Sequence, residues 1–332
     1  MQSFACDDRE WVGADFMPEG KTPDKRLGWV GAGRMGVALA TRLLEAGCDV
    51  AVYNRTRAKC EPLAALGATI VDRPADLGDR DIVFTTLAGP SDFKQVLIGD
   101  EGLLAGSGPA PAVVVDSTTI SAEASEAVRA EAGKRGTALL AAPVSGNPKV
   151  VKAGRLTMVT SGPEEAHRSV LPYLEMMAGG GVTYVGEGDN ARLVKVCHNL
   201  MLGIIAQSLA EVLVLAEKGG VSRADLMDFL NNSVLGSTFT RYKTPAYVNL
   251  DFTPTFTPEL LLKDFDLGHE AARELGVAMP VASAAQQVVQ ALVGNGYTDV
   301  DFAALIELEA KASGLELRSE AAPVSDGLER AA

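Results

Sequence analysis

The hydrophobic pattern from Leu27 onward predicts strands that alternate with helices. Short apolar runs, typical of buried strands, are separated by segments whose apolar residues recur at helical spacing. The predicted strands are 27–32, 49–53, 69–71, 81–86, 112–116 and 137–141, and the helices between them include 34–46, 57–66 and 121–135. This alternation predicts a parallel sheet with right-handed crossovers, and we expect the runs 156–162 and 181–186 to extend the same sheet.

The pattern changes after Gly188. Residues 190–218 are apolar on nearly every face over about eight helical turns. A helix of this kind is normally buried all round, so we place it in the middle of a second domain or at a subunit interface. The rest is predicted to be all-helical, with helix starts at Ser222, which has Asp225 three residues later, and at Thr257-Pro258.

A glycine turn follows the first predicted strand. Gly31, Gly33 and Gly36, with Arg34 and Met35 between the last two, lie between that strand and the next helix. In this setting the G-x-G-x-x-G spacing is a dinucleotide-binding fingerprint, with the pyrophosphate at the helix N-terminus. The alternative is a structural turn that binds nothing.

The residues after the second strand indicate which dinucleotide is bound. An NAD site usually has an acid there for the ribose 2′-hydroxyl, whereas this strand ends in Asn54, Arg55 and Thr56. Arg55 is suited to bidentate contact with a 2′-phosphate, and its neighbours can add hydrogen bonds. We therefore expect NADP(H) to be preferred, with NAD(H) possible, although ordinary surface basic residues at a helix start are the open alternative.

The fold prediction is therefore an α/β Rossmann domain, doubly wound around a mostly parallel sheet, joined by a long central helix to an all-α domain. The predicted units are an extension at 1–25, the dinucleotide domain at 26–189, the interdomain helix at 190–218, the helical domain at 219–316 and a flexible tail at 317–332.

Composition narrows the function. The chain has 332 residues, enough for two domains, and its net charge of −13 argues against nucleic acid or an anionic membrane as a partner. The N-terminus lacks the apolar core of a signal peptide, no uninterrupted apolar run has membrane-spanning length, and the four cysteines lack metal-ligand spacing. We expect a cytoplasmic enzyme without a bound metal.

The long helix carries two polar residues of interest. Lys195 and Asn199 are four residues apart and share a face. A buried lysine shifts its pKa readily, which suits proton transfer, but Lys195 could equally extend to solvent from the first turns of the helix.

Two loops end strands at the sheet edge where ligands gather. One contains Ser145, Gly146 and Asn147, and the other leads to Thr119. Either loop can offer a hydroxyl and backbone N–H groups to a carboxylate, and each by itself is often an ordinary polar loop. In "STFTRYKTPAY", Arg241 and Lys243 are candidates for contact with a second acidic group, but the segment favours a solvated loop.

Together these stretches resemble the β-hydroxyacid dehydrogenase family, which includes 3-hydroxyisobutyrate dehydrogenases and glyoxylate/succinic semialdehyde reductases. The matching segments are "GWVGAGRMG", "DSTTISAE", "APVSGNPKVVKAG", "LVKVCHN" and "LLKDFDLGHEAA". The resemblance covers about residues 27 to 315. The chain departs from the family pattern at Asn147, where a glycine is usual, at His198, where many members have Asn or a hydrophobic residue, and at Ala141, Asp189 and Ala191.

The resemblance implies a role for each matching residue. Lys195 would be the catalytic lysine, Asn199 would help to position the substrate, and Asp264 would support the site from the helical domain. Ser145, Gly146 and Asn147 would bind the substrate, with Thr119 bordering both substrate and nicotinamide. The implied cofactor set combines the glycine turn and Asn54 to Thr56 with Leu87, Thr119 and Lys263.

The predicted activity is NADP(H)-dependent interconversion of a small semialdehyde or keto acid and its hydroxyacid, with Lys195 as general acid and base. The helical domain implies a homodimer or homotetramer. Two alternatives stay open. One is an imine reductase of the same architecture, whose relatives commonly lack the lysine, and the other is a non-catalytic NADP(H)-binding scaffold or sensor.

Overall fold

The computed structural model describes residues 24–328, so the predicted extension at 1–25 lies almost entirely outside the described residues. The first part of the chain forms nine strands: β1 Leu27–Val30, β2 Val50–Tyr53, β3 Thr69–Ile70, β4 Ile82–Thr85, β5 Val113–Asp116, β6 Ala138–Ala141, β7 Val144–Ser145, β8 Thr157–Thr160 and β9 Val182–Tyr184. Six helices accompany them: α1 Arg34–Glu45, α2 Glu61–Ala64, α3 Pro90–Ile98, α4 Ala122–Lys134, α5 Pro148–Lys152 and α6 Glu164–Met177. The single helix predicted at 57–66 is a 3₁₀ turn, Arg57–Cys60, followed by the short α2.

The main sheet has six parallel strands in the order β3-β2-β1-β4-β5-β6, which confirms the predicted doubly wound sheet. Its central strands are buried on both faces, since α1 and α6 cover one side and α3 and α4 the other. The register pairs Val30 with both Tyr53 and Thr85, and Thr85 with Asp116. The strands therefore end level, and the loops that follow them lie side by side at one edge.

The two later runs do not extend this sheet as predicted. β7, β8 and β9 form a separate three-stranded sheet in which β7 pairs antiparallel with β8. Between the two sheets a single bridge joins Ala141 to Ser161. Only Ala142 and Pro143 separate β6 from β7, which is too short for the crossover that a parallel neighbour of β6 would need, and β8 pairs with β7 instead of with β6.

The second part of the chain is helical, as predicted. It comprises α7 Asn190–Lys218, α8 Arg223–Asn232, α9 Thr238–Asn249, α10 Pro258–Glu274, α11 Pro280–Gly294 and α12 Leu305–Ala312. Ser222 and Thr257 cap α8 and α10 with their side chains, as their sequence signatures indicated. The predicted loop containing Arg241 and Lys243 is instead the helix α9, which begins at a capping box between Ser237 and Thr240.

Helices α7 and α10 cross closely because both carry glycine at the crossing. A Cβ added at Gly203 would lie 2.6 Å from the ring of Phe265, and one added at Gly268 would lie 2.6 Å from Leu200. This contact fixes α10 against the half of α7 that carries Lys195.

The long helix α7 has the predicted bounds but is not buried all round. One side packs into the helical core, whereas Met201 is 64% and Leu215 73% exposed on the other. By length and composition α7 is also the one helix among residues 24–328 that is apolar enough to cross a membrane, and half of its most apolar stretch is buried within the protein. The core helix of a soluble protein meets the same criterion.

The C-terminal segment, predicted as a flexible tail, makes specific contacts as far as residue 328. The carboxylate of Glu320 accepts hydrogen bonds from the backbone N–H groups of Arg223 and Ala224 at the start of α8. Asn249 exchanges two hydrogen bonds with the backbone of Ala322, and Val324 packs on the helical core. The polar, Ala-rich composition hid these contacts because most of them are made by backbone groups.

Candidate active site

A cavity of about 930 Å³ lies between the carboxyl edge of the six-stranded sheet and the helical part. Its walls include every residue that the sequence assigned to substrate or cofactor. The topology explains this gathering, since parallel strands bring their following loops to one edge, and α7 and α10 face that edge.

The glycine turn forms the wall at the end of β1. A Cβ at Gly36 would lie 1.9 Å from the carbonyl oxygen of Gly31, and a Cβ at Gly31 would lie 2.1 Å from that of Thr86, so neither position admits a side chain. At Gly33 no atom lies within 4 Å of the same point, which leaves room beside the N-terminus of α1. With its free N–H groups and no acid in the first turn of α1, this space fits a pyrophosphate.

The remaining fingerprint residues, Arg34 and Met35, also line the cavity. Arg34 reaches across it and donates a hydrogen bond to the carbonyl oxygen of Pro254 at 2.8 Å. This bond connects the dinucleotide-binding part to the loop before α10.

In the segment after β2, Asn54 has a structural role and Arg55 is exposed. The carboxamide of Asn54 accepts from the backbone N–H of Ala32 and donates to the carbonyl of Thr56, so it holds the glycine turn in shape. Arg55 is 84% exposed at the side chain and forms an ion pair with Asp92 at 3.1 Å. The expected hydrogen bond from Asn54 to a phosphate therefore has only its second amide hydrogen available, while Arg55 is accessible.

The loops after β4 and β5 are tied together beneath the cavity. The hydroxyl of Thr118 accepts from the backbone N–H of Leu87 and donates to the carboxylate of Asp116. Arg192 on α7 pairs with Asp116 at 2.9 Å, and both side chains are buried. These contacts hold Leu87 and Thr119 at the wall. Arg192 was not predicted from the sequence, where its position in the first turn of an apolar helix was the available signal.

Lys195, Asn199 and Asp264 come together as the resemblance implied. The amide nitrogen of Asn199 donates to Asp264, whose other carboxylate oxygen is buried without a hydrogen-bond partner in the described structure. The ammonium of Lys263 lies 3.6 Å from that second oxygen. The pKa of Lys195 is lowered to about 8, and burial is the main cause. The charge of Lys263 adds to this lowering, whereas the charge of Asp264 opposes it. Lys195 is thus suited to exchange a proton near neutral pH.

Ser145 on β7 lies next to His198, which the sequence showed only as a departure from the family pattern. The hydroxyl of Ser145 and Nε2 of His198 are 2.9 Å apart, and Nδ1 of His198 is 2.9 Å from the side-chain oxygen of Asn199. Burial and the charge of Lys195 lower the pKa of His198, although its bond to Asn199 raises it.

The two residues after Ser145 have different roles. Gly146 has a φ of 139°, which strains any other residue, and it lines the cavity. The side-chain oxygen of Asn147 caps α5 by accepting from the N–H groups of Lys149 and Val150. Only the side-chain amide nitrogen of Asn147 therefore remains to contact a substrate.

The two basic residues of α9 are not arranged as the sequence suggested. Lys243 is buried and paired with Asp301, and Arg241 donates to the carbonyl oxygen of Asn231. The ring of Phe302 lies 4.1 Å from the Lys243 ammonium. Lys243 thus has a structural partner and does not lie on a solvated loop. The far end of the cavity is aromatic instead, lined by Phe239, Tyr242, Phe256 and Phe302.

Among residues 24–328, no group of three or more His, Cys, Asp or Glu side chains is arranged to hold a metal ion.

Comparison with known proteins agrees with this architecture. Residues 26–186 match the family model described as the NAD-binding domain of 6-phosphogluconate dehydrogenase, and residues 189–308 match the one described as NAD-binding of NADP-dependent 3-hydroxyisobutyrate dehydrogenase. The chain is 30% identical over 282 residues to glyoxylate/succinic semialdehyde reductase 2 of Arabidopsis thaliana, covering 85% of this chain and 78% of that protein.

Solved structures give the same result. The 3-hydroxyisobutyrate dehydrogenase of Mycobacterium tuberculosis, solved with L-serine, is 29% identical with a TM-score of 0.74 and covers 86% of this chain and 99% of its own. A 3-hydroxyisobutyrate dehydrogenase from Salmonella typhimurium is 26% identical, with a TM-score of 0.76 and coverage of 86% and 100%. With a fingerprint turn, a lysine-bearing helix and two family models that together span most of its length, the chain belongs to the β-hydroxyacid dehydrogenase family of NAD(P)-dependent oxidoreductases.

Proposed function

We propose that this protein reduces a small semialdehyde or keto acid with NADPH, or oxidises the matching hydroxyacid with NADP⁺. The observation that carries the proposal is the convergence of Lys195, Asn199 and Ser145 on one cavity whose other end is the glycine turn. When bound, the nicotinamide supplies or accepts the hydride.

Lys195 is the general acid in reduction and the general base in oxidation. In reduction its ammonium donates a proton to the oxygen of the carbonyl as negative charge develops there, and in oxidation the neutral amine takes the proton of the hydroxyl. Asp264 supports the ammonium form electrostatically. It also accepts a hydrogen bond from the side-chain amide of Asn199, so that this side chain keeps its orientation beside the lysine.

Ser145, Gly146 and Thr119 hold the carboxylate. The first two line the cavity beside His198 of α7, so a carboxylate bound there is positioned to present the neighbouring carbonyl to Lys195 on the same helix. The glycine at 146 keeps this loop in a conformation that directs its backbone into the cavity. Since α10 contributes Lys263 and Asp264, both parts of the chain are needed for the site.

The preference for NADP(H) rests on Arg55. Its guanidinium is exposed at the cavity rim, Lys59 lies nearby on the same wall, and no acid follows β2 where an NAD enzyme would bind the ribose hydroxyl. Asp92 is the competing anion, and a 2′-phosphate would have to displace it or share the guanidinium with it.

We also propose that two copies associate through the exposed apolar side of α7, as a homodimer or within a homotetramer. Met201, Val212 and Leu215 are exposed there on one helix, and apolar surface of this extent is typical of an interface. Sedimentation at micromolar concentration is expected to show an oligomer, and a monomer would refute this part.

The direct experiment is oxidation of NADPH and NADH, followed at 340 nm, against glyoxylate and the succinic, methylmalonic and tartronic semialdehydes. Turnover is expected with NADPH on at least one of them. Lys195→Met is expected to lower kcat by orders of magnitude while NADPH still binds. No turnover on the panel with NADPH bound would refute the proposal and favour imines or a non-catalytic role.

A further inference from the structure

His198 bridges the proposed carboxylate site and the lysine helix. One ring nitrogen contacts Ser145 on β7 and the other contacts Asn199, its neighbour on α7. The question is which atoms of the bridge carry the hydrogens.

The direction of each hydrogen bond follows from Asp264. Its carboxylate only accepts, so the amide nitrogen of Asn199 must face it and the amide oxygen must face His198. Nδ1 of His198 therefore carries the hydrogen of the His198–Asn199 bond. In the neutral ring Nε2 then has only a lone pair, and the bond at 2.9 Å requires Ser145 to donate its single hydroxyl hydrogen to His198.

This arrangement leaves Ser145 unable to serve a carboxylate. Its oxygen presents only lone pairs to the cavity, and two acceptors facing each other repel. If the hydroxyl turned toward the substrate, Nε2 of neutral His198 would in turn face a lone pair of Ser145. A proton added at Nε2 removes both conflicts, because His198 then donates to Ser145 and the hydroxyl hydrogen is free for the substrate.

We propose that His198 is a positioning residue that takes up a proton when a carboxylate binds at Ser145. The proton comes from solvent, binds Nε2 and remains there while the carboxylate is bound; no covalent bond of the substrate changes. This inference rests on the proposed function, since it assigns the carboxylate to the Ser145 loop.

The other charges around the site are consistent with this coupling. Lys195 lies on the same helix, Lys263 and Asp264 on α10, and Tyr242 and Arg155 on the remaining walls. Burial and the charge of Lys195 keep the pKa of His198 below its ordinary value in the free enzyme. A bound carboxylate adds a negative charge beside the ring, which raises that pKa, so the proton is taken up on binding.

The test counts protons without requiring turnover. Isobutyrate has the carboxylate of the expected substrates but no carbonyl or hydroxyl to react, so it probes binding to the NADPH-loaded enzyme. Calorimetric titration at pH 7 in phosphate and in Tris, which differ in ionisation enthalpy, gives the number of protons bound with each isobutyrate. Lys195, with a pKa of about 8, is already about 90% protonated at pH 7 and can add only about 0.1 proton.

The wild-type enzyme is expected to take up about half a proton or more, and His198→Asn no more than about 0.1. His198→Asn replaces the ring with an amide that does not titrate, and it leaves Lys195 unchanged. His198→Gln is the second variant if the first does not fold. Both must retain NADPH binding and the wild-type circular dichroism spectrum. The affinity of wild type for isobutyrate should also fall more steeply above pH 7 than that of the variant.

The outcomes separate the two proposals. Equal proton uptake by wild type and variant, with semialdehyde turnover intact, overturns the role of His198 and leaves the reaction standing. Different uptake without turnover on any semialdehyde supports the role of His198 and overturns the reaction. Absence of isobutyrate binding at millimolar concentration, together with no turnover, overturns both.

Discussion

The lowered pKa of Lys195 predicts opposite pH dependences for the two directions of the reaction. Reduction requires the ammonium and oxidation requires the amine, and the pKa of Lys195 is about 8. We expect kcat for reduction to fall above pH 8 and kcat for oxidation to rise, with both midpoints near that value. The rates must be measured at saturating substrate, because KM also depends on the protonation of His198.

The size of the effect follows from the amine fraction. With a pKa of 8, about one lysine in ten is neutral at pH 7, whereas at the ordinary 10.5 about one in 3,000 would be. Burial of the side chain thus provides about a 300-fold gain in the form that oxidation needs at neutral pH. Between pH 7 and 9 the oxidation rate should rise about tenfold and then level off.

Variants at two positions test the assignment of the pKa. Asp264 stabilises the ammonium, so Asp264→Asn should shift both midpoints down by about one pH unit while its amide can still face Asn199. Lys195→Met should abolish the dependence together with most of the activity. Stopped-flow measurement at 340 nm keeps the chemical step separate from cofactor release.

Two results would refute this reasoning. One is a midpoint above pH 10, which would mean that Lys195 is solvated like a surface lysine. The other is a midpoint near 8 that Asp264→Asn leaves unchanged, which would assign the titration to another group.

Three further predictions concern cofactor choice and stability. Arg55→Ser should raise KM for NADPH about tenfold and leave that for NADH unchanged, while Asp92→Asn should lower KM for NADPH, as steady-state kinetics with each cofactor will show. Lys243→Met should cost about 3 kcal/mol or more in urea unfolding because it leaves Asp301 buried and unpaired, and combining it with Asp301→Asn should recover part of the loss. Glu320→Ala should lower the free energy of unfolding by about 1 kcal/mol through loss of the two hydrogen bonds to the first turn of α8, and an unchanged midpoint would show that the segment does not hold the helix.

The sequence was sufficient for the parts that depend on local pattern. Hydrophobic runs predict the six strands of the main sheet and both bounds of α7, and glycine spacing predicts the turn. Ser222 and Thr257 mark helix starts with their own side chains. The glycine spacing from Gly31 to Gly36 predicts the turn, but the shape of the turn also depends on distant residues, since Asn54 accepts from Ala32 and the carbonyl of Thr86 limits the space at Gly31.

What the sequence could not supply depends on distant contacts. Lys243 was taken as a solvated or substrate-binding residue, and only its approach to Asp301, 58 positions later, makes it a buried structural cation. The second sheet was missed because pairing of β7 with β8 is a choice between neighbours that periodicity does not specify. The C-terminal segment likewise depends on backbone N–H groups of α8 and on the Asn249 side chain of α9, which leave no trace in its own composition.

The role proposed for His198 depends on both its position in the sequence and its contacts in the fold. The sequence places it three residues after Lys195 and next to Asn199, so all three belong to one turn of one helix. The fold then places Ser145 on one side of that turn and Asp264 on the other, and this fixes the hydrogen-bond direction through Asn199 and His198. One helical turn thus contains both proton sites of the proposed reaction, Lys195 for the carbonyl oxygen and His198 for the carboxylate. Because their charges repel, the pKa of each depends on the other, and a substrate that lacks a carboxylate would leave His198 neutral and Ser145 engaged. Proton uptake at His198 would thus accompany only carboxylate substrates, and its free-energy cost would increase as the pH rises above the pKa of His198.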